Sequence, residues 1–327
     1  MNNRKEVFRM IKKLTEDILA GRRLKRGEDV SFLLNENLEV LCHCADKIKQ
    51  HFCGNQVGLC TIVNGRSGRC SEDCKYCAQS AHHFTGLKEH GFRDADTLVQ
   101  DCKKKAQAGI HRYCIVTSGR TLEGADLKTA LIAYKKIKES CDISFCASHG
   151  FLSEDTLLAL KEVGVTRCHA NIETSRHNFP NICTTHTYDD KIHSIKTIQK
   201  VGLSVCSGGI IGMGETWDDR IDMAVSLAEL GVDSIPINVL IPIPGTPFQN
   251  LPRLPEADIL RTIAIFRFFH PTAEIRLAAG RSLMVGSGEK AFFSGANATI
   301  TGNLLTTSGN NMKEDIEMLT AAGFDLK

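Results

Sequence analysis

No stretch of this sequence approaches the ~18 uninterrupted apolar residues that a bilayer-spanning helix requires, so no membrane partner is expected. The first 24 residues alternate charged side chains (Arg4, Lys5, Lys12, Lys13, Asp17) with apolar ones at helical spacing. They lack the apolar centre of a secretory signal, which predicts a cytoplasmic protein. Charge of one sign is missing too. The 40 basic and 38 acidic residues leave a net charge of +2 and are interspersed, so there is no basic stripe to track a phosphate backbone and nucleic acid is not an expected partner. With 42% apolar and 24% charged residues over 327 positions, the chain has globular composition and enough length to bury one large core. What it has in quantity is cysteine, 14 in all. A reducing cytosol disfavours structural disulfides, which leaves metal binding or catalysis as the reason for many of these thiols. Isolated ones such as Cys102 read as small buried apolar residues.

From residue 57 onward, short apolar runs alternate with amphipathic helical segments, the pattern of a parallel sheet. The runs are 57–63, 113–116, 143–147, 167–171, 204–206 with the following glycines, 234–239, 274–277 and 298–300. Eight such units close a (β/α)8 TIM-type barrel, although an open doubly wound sheet would give a similar one-dimensional signal. Ala108-Gly109, Val163-Gly164, Val201-Gly202 and Leu230-Gly231 put glycine where helices stop, directly before a strand. Residues 1–50 have helical periodicity without strands and read as an N-terminal helical extension to a barrel over 51–327. Barrel chemistry sits in the loops after the strands.

The loop after the first strand holds Cys70, Cys74 and Cys77, with Tyr76 before the last. Three thiolates in eight residues can converge on one metal centre. A structural zinc site would be closed by a fourth ligand, for which His82 or His83 is near enough in sequence; otherwise the site stays open for substrate. The spacing, together with Asn64-Gly-Arg-Ser-Gly-Arg-Cys70 and Cys77-Ala-Gln-Ser80, resembles the radical S-adenosylmethionine superfamily and within it the biotin synthase family. The resemblance runs from about residue 50 to the C-terminus.

That resemblance implies a 4Fe–4S cluster on Cys70, Cys74 and Cys77, its fourth iron chelated by S-adenosylmethionine and its reduction releasing a 5′-deoxyadenosyl radical. It implies S-adenosylmethionine contacts from the backbone around Tyr76, from Asn171 and Glu173, and from the glycine-rich segment at Gly212. His169, Asn171 and Glu173 alternate with period two and are expected to share one face of the fourth strand. The family more often has asparagine at His169 and aspartate at Glu173. Cys114, Cys146, Cys206 and Arg276, scattered over four strand-like runs, match the family's ligands for an auxiliary iron–sulfur cluster that donates sulfur to dethiobiotin. Arginine is an odd ligand because it normally stays protonated, so that assignment rests on the resemblance. Asn238 and Arg276 are expected nearest the substrate, since an amide offers the donor and acceptor that a ureido ring needs. The auxiliary cluster is two-iron by default; Cys141, Cys168 and Cys183, close in sequence to its strands, raise a four-iron variant. A flavodoxin or ferredoxin reductant and a homodimer follow from the same resemblance. The rivals are another radical barrel of the hydrogenase-maturation or methylornithine-synthase kind, and a non-catalytic metal scaffold.

Overall fold

The computed structural model describes residues 2–306 and 309–327. Among the described residues, ten strands form one sheet: β1 (Gln56–Arg66), β2 (Arg112–Thr117), β3 (Ser144–Ser148), β4 (Arg167–His169), β5 (Ser204–Cys206), β6 (Gly209–Ile211), β7 (Ser234–Val239), β8 (Glu274–Leu277), β9 (Ala298–Ile300) and β10 (Asp325–Leu326). All pairings between them are parallel, and β9 pairs back onto β1 through Gly58 and Ala298, which closes a barrel and excludes the open sheet. β5 and β6 both pair with β7 and form one interrupted stave, so the barrel has eight. The interruption has a cause in β7. Pro236 has no N–H to give to its neighbour, and a Cβ at Gly208 would lie 1.9 Å from the Pro236 carbonyl oxygen. β10 lies outside the barrel along the start of β1, an element the sequence pattern did not reveal.

Helices follow the staves at Ala95–Gln107, Gly124–Ser140, Glu154–Glu162, Tyr188–Lys200, Trp217–Glu229 and Glu256–Phe269. Their starts are fixed by side chains that accept orphan backbone N–H groups: Asp94, Ser153, and the reciprocal capping boxes Thr187/Asp190 and Thr216/Asp219. The four glycines expected at helix stops all take positive φ. The N-terminal extension forms helices Asn2–Leu19 and Leu38–Cys53, the second running slightly past the expected boundary and packing on Glu256–Phe269. Arg261 Nη1 ties it down by donating to the carbonyls of Leu33 and Glu36, at 2.9 and 3.0 Å. Among the described residues, no helix is long and apolar enough to cross a membrane.

Strand register orders the interior. Stepping one residue forward at each stave from Cys60 visits Tyr113, Cys146, Cys168, Cys206, Ile235, Arg276 and Thr299, and returns to Cys60. This is the stagger of an eight-stranded barrel with shear eight. Alternate members point in and out. Tyr113, Cys168 and Ile235 belong to the continuous apolar layer beneath the helices, whereas Cys60, Cys146 and Cys206 are buried outside it, in the interior with Arg276. The next inward layer toward the strand C-termini holds Cys114, His169, Pro236 and Ile300; the layer below holds Arg112, Arg167, Ser234 and Ala298.

Two buried histidines outside this interior contribute to the acid response. His149, between Thr117 Oγ1 and Tyr134 Oη at 3.0 Å each, and His270, against the Ala224 carbonyl at 2.9 Å, are both held by burial at a pKa of about 3. The unfolded chain binds these protons near pH 6.5 and the folded chain does not, so stability is present above pH 6.5 and is lost as pH falls toward 3. Urea unfolding of the metal-free chain is expected to lose about 2 kcal/mol per histidine between pH 6.5 and 5. His149→Gln and His270→Gln together are expected to flatten that slope; an unaltered slope would refute the assignment.

Candidate active site

The loop carrying Cys70, Cys74 and Cys77 follows β1 and folds on itself: the Cys70 N–H donates to the Gln79 carbonyl (3.0 Å), Ala81 to that of Cys70 (2.8 Å) and Cys77 to that of Cys74 (2.9 Å). It is pinned to residues 182–186 by charged groups. Asp73 Oδ1 accepts from the Thr184 backbone at 2.9 Å, and Glu72 meets His186 Nδ1 at 2.5 Å and Arg120 Nη1 at 3.1 Å. The three sulfurs do not all lie within 4.8 Å of one another. That separation suits three irons of one cluster better than a single zinc ion, whose ligand atoms must crowd closer. His82 and His83 do not supply a fourth ligand: each ring Nε2 is 3.1 Å from a backbone carbonyl, of Ser71 and Cys74 respectively.

Cys183, one of the thiols raised for a four-iron auxiliary cluster, lies here and not in the barrel interior. Its sulfur is 3.8 Å from that of Cys74 and 3.2 Å from His186 Nδ1. The other two thiols raised for the auxiliary centre are also elsewhere. Cys168 points outward into the apolar layer, because it has the opposite parity on β4 to His169, and Cys141 lies beside Cys102 between two outer helices.

A cavity leads from the loop into the barrel, lined near its mouth by Tyr76, Asn171, Glu173 and Asn238. The fourth strand is shorter than expected, ending at His169, so Asn171 and Glu173 lie beyond it, yet both still face the cavity. Glu173 takes φ +69°, a strained value for a non-glycine residue, held by its N–H on the Gly208 carbonyl (3.1 Å) and its carbonyl on the Ile210 N–H (2.8 Å). Its Oε2 is buried without a partner, and burial holds the carboxyl above its usual pKa. Asn171 Oδ1 accepts from the Gly208 N–H (3.1 Å). Asn238 bridges two staves, donating to the Gly209 carbonyl and accepting from Ala279 N–H, both at 3.1 Å. One amide hydrogen and one lone pair remain for a ligand. Gly212 does not line the cavity: it makes a turn at φ +92° whose N–H donates to Glu215 Oε1 at 2.8 Å.

Deeper, the barrel interior concentrates thiols and cations. Cys114, Cys146 and His169 offer ligand atoms within 4.8 Å of one another. Arg276 Nη2 and Arg167 Nη1 both donate to Glu274 Oε2, at 2.9 and 2.7 Å. Burial pushes the Cys206 thiol up, but the charge and hydrogen bond of His169, with Arg276 nearby, bring it down to about 7. Arg276 Nε, His169 Nε2 and Ser207 Oγ are buried without partners. Buried polar atoms without protein partners around a set of soft ligands fit an anionic iron–sulfur group. Cys60 in the same layer escaped the sequence reading; its parity on β1 was legible, but its height relative to Cys146 needs the register.

The family model described as Radical SAM superfamily matches residues 66–239, and that described as Biotin and Thiamin Synthesis associated domain matches 236–325. The biotin synthase of Alkaliphilus metalliredigens (strain QYMF) is 63% identical over 97% of this chain and 99% of its own length. The chain belongs to the biotin synthase family. The biotin synthase of Clostridium beijerinckii is 59% identical over 97% of this chain and its own full length. The crystal structure of methylornithine synthase superposes with a TM-score of 0.82 at 18% identity, covering 96% of this chain and 97% of that one, which shows a shared barrel and nothing of the reaction. The cofactors of a biotin synthase family member are a four-iron cluster, S-adenosylmethionine and an auxiliary iron–sulfur cluster, and the two thiol sites fit them.

Cys74 and Cys183 are neighbours, and the family resemblance expects only Cys74 among the cluster ligands. Cys74→Ala is expected to reduce 5′-deoxyadenosine release from S-adenosylmethionine to background, while Cys183→Ala retains it; anaerobic product chromatography checks both. Full release by Cys74→Ala would remove the triplet from its assigned place.

Proposed function

We propose that this chain inserts sulfur into dethiobiotin to form biotin, with S-adenosylmethionine as co-substrate. The observation that carries this reading is the stacking of two thiol sites along one barrel, with a cavity between them that runs from Cys70, Cys74 and Cys77 past Asn171 and Asn238 to His169. When bound, the cofactors supply what side chains cannot, a 5′-deoxyadenosyl radical at the mouth and sulfide below. The protein's part is placement. A radical must form within a few ångströms of the carbon it attacks, so the substrate belongs between the two sites.

Cys70, Cys74 and Cys77 would hold the four-iron cluster, and Cys114, Cys146 and Cys206, with Arg276 beside them, the auxiliary one. Glu173 Oε2, lacking a protein partner, suits the ribose hydroxyls of S-adenosylmethionine, with Tyr76 and Asn171 beside it on the same wall. Gly212 shapes the turn behind this wall without touching the cavity. Asn238's free N–H and lone pair suit the ureido ring. Ile62 and Ile300 give the cavity an apolar middle that excludes water from reactive species. Residues 51–327 act as the catalytic barrel and 1–50 as its supporting extension. A flavodoxin or ferredoxin reductant, a homodimer and a two-iron auxiliary cluster are carried by the family resemblance.

With both clusters assembled and a reductant supplied, methyl-deuterated dethiobiotin is expected to yield biotin and deuterated 5′-deoxyadenosine by mass spectrometry. Cys206→Ala is expected to retain the four-iron cluster and make no biotin. Absence of both biotin and deuterium transfer, with both clusters intact, would refute the function; unchanged biotin yield from Cys206→Ala would refute that residue's part in it.

A further inference from the structure

We propose that Cys60 is a thiolate ligand of the auxiliary cluster, so that Cys60, Cys114, Cys146 and Cys206 bind it together and Arg276 stands beside them as a counter-cation. The inference rests on reading the barrel interior as a cluster site.

Three observations carry it. Register places Cys60, Cys146, Cys206 and Arg276 in one interior layer from alternate staves, with Cys60 flanked by Cys146 and Arg276 and facing Cys206 across the barrel. Cys60 is 1% exposed but lies outside the apolar layer that takes in Cys168 and Cys102, so it is not packing against helices. Its thiol instead meets the thiol of Cys146, with the Arg276 guanidinium nearby.

The third observation concerns Arg276. Its Nη2 is committed to Glu274, which also holds Arg167, and a guanidinium has five donors and no lone pair to give. Thiolate is the soft ligand that iron–sulfur clusters take, four per cluster in the usual case. With Cys60 counted, the interior offers four thiolates without asking arginine to deprotonate. Arg276 and Arg167 then balance the negative charge of the thiolates and the cluster, each by its protons and not by a coordinate bond.

The test uses the full chain carrying Cys70→Ala, Cys74→Ala and Cys77→Ala, reconstituted without oxygen, so that only the barrel cluster contributes. Mössbauer spectra, acid-labile sulfide and a chelator titration are compared for this chain and for its Cys60→Ser, Cys60→Ala and Arg276→Ala derivatives. Circular dichroism verifies folding, and Cys168→Ser serves as the control for loss of an uninvolved thiol. Cys60→Ser is expected to alter the Mössbauer parameters of one iron and to lower about tenfold the chelator concentration that strips half the iron. Arg276→Ala is expected to keep the thiolate-type spectrum. If Cys60→Ala does not fold, Cys60→Ser, which changes one atom, carries the comparison. An unchanged spectrum and midpoint in Cys60→Ser overturns the inference while leaving the interior site in place. Absence of any cluster in the chain with Cys60 intact overturns the interior-site reading as well.

Discussion

Closure of eight parallel staves, each displaced by one residue from the last, is the constraint on which the rest depends. Because side chains alternate across a strand, closure divides every stave into an outward set packed under helices and an inward set stacked in layers of four. Leu59, Tyr113, Ile115, Phe145, Val205 and Ile235 make the first set apolar and supply the burial that holds the fold. The second set is thereby freed from packing duty. Its lower layers hold thiols, arginines and a histidine, and its upper levels open into the cavity.

Such an interior is costly unless its charges answer one another. Glu274 accepts from both Arg167 and Arg276, and those two cations draw its carboxyl down to about 2 against the opposing effect of burial. Ser234 donates to Cys206 at 3.3 Å from the layer below. Glu274 precedes Arg276 by two residues on β8 and so lies nearer the strand N-termini, away from the cavity. Removing one partner of such a set leaves a buried charge uncompensated, which is why the group is better understood as a unit than as separate pairs.

How much of this was legible in the sequence depends on the range of the signal. The Cys70/Cys74/Cys77 loop is local, and its spacing was readable directly. The eight apolar runs and the glycine stops were readable as periodicity, and all eight became staves. What could not be read was relative height. Cys60, Cys146 and Cys206 lie in one layer only because of register, which is set by pairings between residues dozens of positions apart. Cys168 shows the converse: one position from His169, it has opposite parity and leaves the site altogether. Cys183 reaches Cys74 because Asp73 and Glu72 draw a later loop onto the cluster loop, and nothing in local spacing encodes that. Gly212 was read from a glycine-rich pattern whose ordinary cause, a tight turn, is what the structure contains.

The segment Cys206–Gly209 joins the two halves of the site mechanically. Pro236 opposite it denies a ladder hydrogen bond and breaks the stave, and the freed Gly208 carbonyl accepts the N–H of Glu173. A side chain at Gly209 would lie 2.4 Å from the Glu173 carbonyl oxygen, so the close approach needs glycine. Glu173 is thereby held at a strained φ that costs on the order of 1–3 kcal/mol and is tolerated only because both its backbone groups are bonded. The outcome is a carboxylate fixed against the wall at the cavity mouth by the same residues that place the Cys206 sulfur in the interior below. A shift in one would move the other, so the spacing between Glu173 at the cavity mouth and Cys206 below it is built into a single irregular stave.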